Sequence, residues 1–359
     1  MIDLKQYGYT ETETPPDGLL PGRITEHRGA HYTVITERGE TSAVLKGAFH
    51  HNAKAREDFP CVGDFVLLQY NELGDSRIAT LLPRRSKFSR ADFSGHAAGY
   101  AKTILEQVVA ANFDYVFILS SLNWDFNIGR IARYLTQTRQ GGGQGVVILS
   151  KADLVEDFDV PLGDIQKAAP DVPIHAISAH TGFGLNDLNE YLQPGKTVVF
   201  LGMSGVGKSS LLNALMNQEV MVVKAIREDD SRGRHTTTHR QLFMLPSGAM
   251  VIDTPGMREL GLFGADEGIS VGFNDVEDLF TQCRFSNCRH KTEPGCAVLA
   301  ALADGSLPLE HWERYLAQKR ENTFVDDKSA YLQDKRAWHR DLAKWNKQKR
   351  KAEGSRNEG

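Results

Sequence analysis

Val198-Val199-Phe200-Leu201-Gly202-Met203-Ser204-Gly205-Val206-Gly207-Lys208-Ser209-Ser210 decides the fold. An apolar β-type run leads into a glycine-rich turn of the form G-x-x-x-x-G-K-[ST], and a helical stretch to about residue 217 follows. The glycines let successive backbone N–H groups turn inward on phosphates, and the helix N-terminus adds positive potential. In that setting Lys208 reaches the β- and γ-phosphates and Ser209 ligates Mg²⁺. A chance glycine-rich turn is the alternative, and the strand-loop-helix context speaks against it.

Further apolar runs at residues 115–120, 146–150, 174–178 and 250–253 alternate with helical stretches between about 102 and 256. This alternation implies a mostly parallel sheet with helices on both faces, whose ligands bind at the carboxyl ends of the strands. Each chemical motif falls at such an end. In Ser150-Lys151-Ala152-Asp153, the Asp153 carboxylate offers an acceptor pair matched to the ring N–H and exocyclic amine of guanine. Adenine presents no donor pair there, so a buried Asp153 would reject ATP by roughly 10⁴-fold. Lys151 covers the base plane, and Ser178 and Ala179 add backbone contacts to the guanine oxygen. In Asp253-Thr254-Pro255-Gly256, Asp253 holds Mg²⁺ through water and the Gly256 N–H faces the γ-phosphate.

Between these motifs lies Arg232-Gly233-Arg234-His235-Thr236-Thr237-Thr238, where one threonine, assigned as Thr237, ligates Mg²⁺ only when the γ-phosphate is present. Such a loop orders with GTP and relaxes after hydrolysis. A Thr-rich surface loop is the other reading. The order of the motifs is rotated: an ordinary GTPase begins with the phosphate loop and ends with the base-reading pair. A circular permutation explains the order and ties the switch to whatever follows it.

At 359 residues the chain has room for two or three domains, taking roughly 150 residues for each. The formal charge of -4 excludes a wholly basic nucleic-acid coat, so RNA contact must be local and DNA is not an expected partner. No apolar run approaches the roughly 20 residues needed to span a bilayer. Met1-Ile2-Asp3-Leu4-Lys5 lacks the features of a signal peptide, which leads to the expectation of a cytoplasmic protein without membrane contact.

Of four cysteines, Cys61 stands alone. The others form Cys283-x4-Cys288-x-His290-x5-Cys296, three thiolates and one imidazole suited to a closed, structural Zn²⁺ site. Buried free thiols beside an incidental histidine are the alternative.

Residues 1–20 read as a flexible polar segment. Five short β-type runs at 22–26, 32–36, 41–45, 62–70 and 76–82 point to an RNA-binding OB-fold barrel over 21–85, although an SH3-like barrel would read nearly the same. The basic connector Arg84-Arg85-Ser86-Lys87-Phe88-Ser89-Arg90 either grips phosphates with Phe88 stacked on a base or is a solvated linker. The permuted domain is placed at 86–264 and a helical zinc-binding domain at 265–359. Within the latter, residues 330–359 carry nine Lys or Arg against four Asp or Glu. Tyr331, Trp338 and Trp345 recur every seven residues, a helical stripe that packs on the domain and leaves a basic face for RNA phosphates.

Rotated motifs, a small N-terminal barrel and a late Cys3His cluster resemble the ribosome small-subunit-dependent GTPase A family. The resemblance runs from about Gly22 to the last helix and is most specific at 202–210, 253–256 and 283–296. It implies an Mg²⁺-dependent enzyme converting GTP to GDP, with one structural Zn²⁺. It also implies binding to the 30S subunit late in maturation, contact of barrel and zinc domain with 16S rRNA, and ribosome-stimulated hydrolysis coupled to release. A monomer is expected. Two departures matter. Ser150 stands where many GTPases carry an Asn that knits base loop to phosphate loop, which predicts modest nucleotide affinity. Met257 stands where Ras-like proteins place a water-orienting Gln, which predicts slow intrinsic turnover, with His235 supplying the missing polar group. Two rival readings are an RNA-binding placeholder whose hydrolysis is incidental and a P-loop ATPase or kinase with a zinc appendage. The last leaves Asp153, Ser178 and Ala179 without a role.

Overall fold

Apolar alternation along five strands closes the N-terminal barrel. The structure, a computed structural model, describes residues 1–11, 14–47, 49, 53, 55–92, 105–123, 126–221, 240–254 and 261–326. Strands β1 (Leu20–Arg28), β2 (His31–Thr36), β3 (Gly39–Leu45), β4 (Phe65–Gln69) and β5 (Ser76–Leu81) aim Ile24, Val34, Ala43, Val66, Leu68 and Ile78 into a fully buried interior. A bulge between Ile24 and Glu26 bends the long β1, which pairs with both β2 and β4. The β1–β2, β2–β3, β4–β5 and β1–β4 pairs are antiparallel, and a parallel β3–β5 pair completes the ring. This five-stranded closed barrel is the expected OB-fold.

The connector corrects one expectation. Residues Lys87–Asp92 form β6, paired antiparallel with β7 (Leu105–Ala111). Phe88 is 0% exposed and sits in the core with Val109, Ala110 and Phe113, so it cannot stack on a base, and the segment is no solvated linker. Arg84 is equally committed: its guanidinium makes two bonds, 2.8 and 2.7 Å, to the buried Asp64 carboxylate. The charges in this stretch hid the strand, because Lys87 and Arg90 flank residues that turn inward.

Strands β8 (Tyr115–Ser121), β9 (Gln144–Ser150), β10 (Ile174–Ala176), β11 (Thr197–Leu201), β12 (Gln241–Met244) and β13 (Met250–Asp253) form a mixed sheet in the order β10-β9-β8-β11-β13-β12. All neighbours run parallel except β12, which is antiparallel to β13. Side chains alternate between two buried faces. Val116, Ile118, Val147, Leu149 and Val199 pack with Ile131 and Leu135 of α1 (Ile128–Gln140) and Ile165 of α2 (Asp159–Ala168). Phe117, Leu119, Ile148, Val198 and Phe200 pack with Leu211 and Leu212 of α3 (Lys208–Met216). Burial on both faces explains why these strands read as nearly continuous apolar runs.

Two features join barrel and sheet. Glu26 of β1 pairs with Gln241 of β12. Beside that bridge the fully buried Arg23 donates to the carbonyls of Tyr7 (2.6 Å), Gly63 (3.2 Å) and Asn112 (2.8 Å) and to Thr197 Oγ1 (3.0 Å). Burial lowers the Arg23 pKa, with the charge of Arg85 adding to the effect.

After the sheet, α4 (Asp266–Gly272), α5 (Asn274–Thr281), α6 (Ala297–Asp304) and α7 (Leu309–Asp326) enclose Leu262, Ile269, Phe273, Val276, Leu307, Trp312 and Tyr315. Helix α4 lies so close to α1 that a Cβ on Gly268 would fall 2.2 Å from the Thr136 carbonyl oxygen. Tyr331, Trp338 and Trp345 lie outside the described residues. Among the described residues no helix is long and apolar enough to cross a membrane.

Candidate functional site

The motifs collect at the carboxyl ends of β9, β11 and β13. Gly202 follows β11 directly, with φ 148°, and a Cβ there would stand 2.6 Å from the Leu119 carbonyl oxygen, so only glycine lets the loop leave the strand at this angle. Met203, Ser204 and Gly205 continue the turn, Val206 is fully buried beneath it, and Gly207 opens α3 at φ 100°. Lys208 Nζ donates to the carbonyls of Gly202 (2.9 Å) and Met203 (2.8 Å), which fixes an ammonium inside the loop where phosphate oxygens would be received. Ser209 and Ser210, half-buried, occupy the next positions of the helix. From α1, the Arg130 guanidinium touches Met203 Sδ.

Asp253 ends β13 opposite Phe200 of β11 and is fully buried, and Thr254 Oγ1 donates to the Phe200 carbonyl at 2.6 Å. The Asp253 carboxylate is thereby held on the strand beside the one that carries the phosphate loop.

On the other flank Ser150 ends β9, and Lys151 takes a left-handed conformation at φ 62° that turns the chain into the short helical turn Ala152–Leu154. The Ala152 N–H bonds the Ile177 carbonyl at 3.0 Å, which stitches the Asp153 loop to the Ser178 loop. Ser178 Oγ in turn accepts from the N–H groups of His180 (3.2 Å) and Thr181 (3.1 Å), closing a turn around Ala179. A tie from base loop to phosphate loop is present although Ser150 stands in place of Asn: Ser150 Oγ donates to the Val206 carbonyl at 2.5 Å. His235, Thr236, Thr237, Thr238, Gly256 and Met257 lie outside the described residues.

The metal cluster assembles as its spacing predicts. One ligand atom from each of Cys283, Cys288, His290 and Cys296 lies within 4.8 Å of the others, with His290 Nδ1 3.6 Å from Cys283 Sγ and 3.4 Å from Cys296 Sγ. A tetrahedral Zn²⁺ with bonds of about 2.0–2.3 Å requires ligand edges of about 3.5–3.8 Å; the two His290 edges match, and the Cys283–Cys296 edge of 4.0 Å needs only a small contraction to hold the ion. Burial lowers the pKa of His290, favouring the neutral imidazole a metal needs, and its ring stacks on Phe280 at 4.3 Å. The left-handed His290, at φ 56°, is reached through a turn organised by Glu293. That carboxylate accepts from the N–H groups of Arg289 (3.0 Å), Lys291 (2.8 Å) and Thr292 (3.0 Å). Glu293 and Arg130 were not legible as site residues; only Glu293 carried a local cue, an acid close after a ligand.

Residues 81–263 match the RsgA GTPase family. The chain belongs to that family. An RsgA-family relative from Listeria monocytogenes serotype 4b (strain F2365), the small ribosomal subunit biogenesis GTPase RsgA 2, is 42% identical over 333 residues and shares 92% of each chain. The crystal structure of YjeQ from Thermotoga maritima superposes with a TM-score of 0.59 at 27% identity, over 83% of this chain and 96% of that one. YloQ, described as a circularly permuted GTPase, superposes with a TM-score of 0.55 at 24% identity, over 87% and 97%, and shares the fold. RsgA-family proteins hydrolyse GTP, and this chain is a GTP-hydrolysing enzyme of that kind, with a Cys3His group suited to zinc.

Proposed function

We propose that the chain is an Mg²⁺-dependent GTPase of small-subunit biogenesis that binds the 30S particle and its 16S rRNA late in maturation and leaves after hydrolysis. The observation that carries the reading is the Ser150–Val206 hydrogen bond, which ties the base-reading loop to the phosphate loop despite their rotated order. The relative named for small ribosomal subunit biogenesis supports the partner.

In this reading Asp153 and Lys151 hold guanine with backbone help from Ser178 and Ala179. The N–H groups of residues 202–210 and the Lys208 ammonium receive the phosphates. Ser209, Thr237 and the Asp253 carboxylate would hold Mg²⁺, which would supply charge neutralisation on the phosphates. The Gly256 N–H contacts the γ-phosphate, and His235 orients the attacking water once RNA positions it, because Met257 has no polar group for that task. The zinc cluster stiffens the turn that presents Arg284, Arg289 and Lys291, all exposed, toward rRNA phosphates, while exposed Arg28 and Arg38 do so on the barrel.

The test is GTP turnover with and without purified small subunits. Strong stimulation is the expected result; equal rates would overturn ribosome-dependent switching and leave GTP hydrolysis alone.

A further inference from the structure

Residues 261–265, which follow the Asp253-Thr254-Pro255-Gly256 motif in sequence, lie in neither strand nor helix, and side chains hold Leu262, Phe263 and Ala265. The Gly261 carbonyl accepts from the Ala91 N–H of β6 at 3.1 Å. The Leu262 N–H donates to Glu321 Oε1 (3.0 Å), and the Ala265 N–H to Asn322 Oδ1 (2.8 Å), both on α7. Between them the amide of Gln137 on α1 takes both backbone groups of Phe263: Oε1 accepts from the Phe263 N–H at 3.1 Å and Nε2 donates to the Phe263 carbonyl at 3.3 Å. Gln137 is 1% exposed.

The same helix α1 touches the phosphate loop through Arg130 at its first turn, with the Arg130 N–H capped by Asn127 Oδ1 at 2.8 Å. At its other end it grips α4 and α7 of the helical part that follows the sheet. Gln140 Oε1 accepts from the Gly268 N–H at 2.9 Å, and Thr136 Oγ1 donates to Gln318 Oε1 at 2.7 Å.

Directional bonds distinguish this contact from apolar packing. A greasy interface tolerates sliding, whereas a shift of the Phe263 segment by one residue breaks both Gln137 bonds together and strands buried donors and acceptors. A single register therefore satisfies both bonds, and the amide at Gln137 selects it. Only residues 255–260 separate it in sequence from Thr254.

We propose that Gln137 is a positioning residue through which the γ-phosphate state of the nucleotide pocket sets the pose of helices α4 and α7, and with them the helical part that holds the Cys3His cluster. The inference rests on the guanine-nucleotide reading given above. It assigns Gln137 no contact with the reacting atoms.

Hydrogen exchange of the 261–265 backbone is measured with GDP and with a non-hydrolysable GTP analogue, in the parent protein and in Gln137→Leu, alongside small-subunit-stimulated turnover. The parent is expected to show nucleotide-dependent protection. Gln137→Leu is expected to keep its GDP affinity and zinc content, to lose that dependence, and to lose about tenfold of the stimulation, within the roughly 5–150-fold span of allosteric couplings. Gln137→Glu, which keeps the acceptor and lacks the donor, is expected to fall between them, and the test is read from this variant if the leucine form does not fold. Protection that ignores the nucleotide in the parent, or that persists with full stimulation in the variants, overturns the proposal. If small subunits fail to stimulate the parent, the functional reading falls, while the exchange comparison still decides the role of Gln137.

Discussion

Ser150 Oγ donates a 2.5 Å hydrogen bond to the Val206 carbonyl, so the end of β9 and the floor of the phosphate loop move as one unit. Ser150→Ala removes the donor and leaves a buried carbonyl under-satisfied, at a cost of about 1 kcal/mol or more. The expected result is GTP and GDP binding weakened by about fivefold alike, read by equilibrium titration with a fluorescent GDP analogue. Unchanged affinity would show that the tie does not shape the pocket.

Arg23 fastens the barrel to the sheet through acceptors contributed by Tyr7, Gly63, Asn112 and Thr197. Arg23→Ala orphans these groups and opens a cavity at once, so the expected loss of stability is about 3–5 kcal/mol. Denaturant unfolding measures it. A loss well under 1 kcal/mol would mean that water replaces the guanidinium without penalty.

Zinc removal should loosen α5 to α7 while sparing the sheet, because Cys283, Cys288, His290 and Cys296 close the loop between α5 and α6. Binding energy at such a site is folding energy. Chelation, or Cys288→Ala, is expected to lower the melting transition of the helical part and raise Trp312 exposure, with GDP affinity retained. Fluorescence and calorimetry report both.

Glu293 gives a pH signature. Backbone N–H donors, that of Lys291 foremost and then Thr292, pull its pKa from 4.5 down to about 2. A carboxylate with a depressed folded pKa stabilises the fold fully above its unfolded value and loses that contribution as pH falls toward the folded one. The stability gap between the parent and Glu293→Gln should therefore be full above pH 4.5 and close between 4.5 and about 2. A gap that does not vary with pH would contradict the assignment.

What could be read in advance follows from how far each interaction reaches along the chain. The phosphate loop, Asp253 and the Cys3His cluster are local patterns whose residues act within a few positions, and they fall where expected. The barrel and parallel strands were legible through alternation, whereas β6 was not, because the Arg and Lys around Phe88 masked its period, and the four-residue β12 is too short to show one. Arg23 and Gln137 were invisible for a different reason. Their partners, Thr197 and Phe263, lie 174 and 126 positions away, and nothing beside either residue records the pairing. Ser150 shows the same limit: that its hydroxyl reaches the Val206 carbonyl is visible only in the folded pocket.

The most direct test of the pocket is base selectivity in Asp153→Asn. Xanthine carries a carbonyl where guanine has its exocyclic amine, so an Asn amide can donate to that oxygen and still accept from the ring N–H. The variant is expected to lose GTP turnover by about 10²-fold or more and to gain hydrolysis of xanthosine triphosphate, since a site built on hydrogen bonds rejects a ligand that leaves them unpaired. Undiminished GTP turnover, or equal loss of both nucleotides, would contradict the claim that Asp153 reads the base of the nucleotide whose phosphates Lys208 receives.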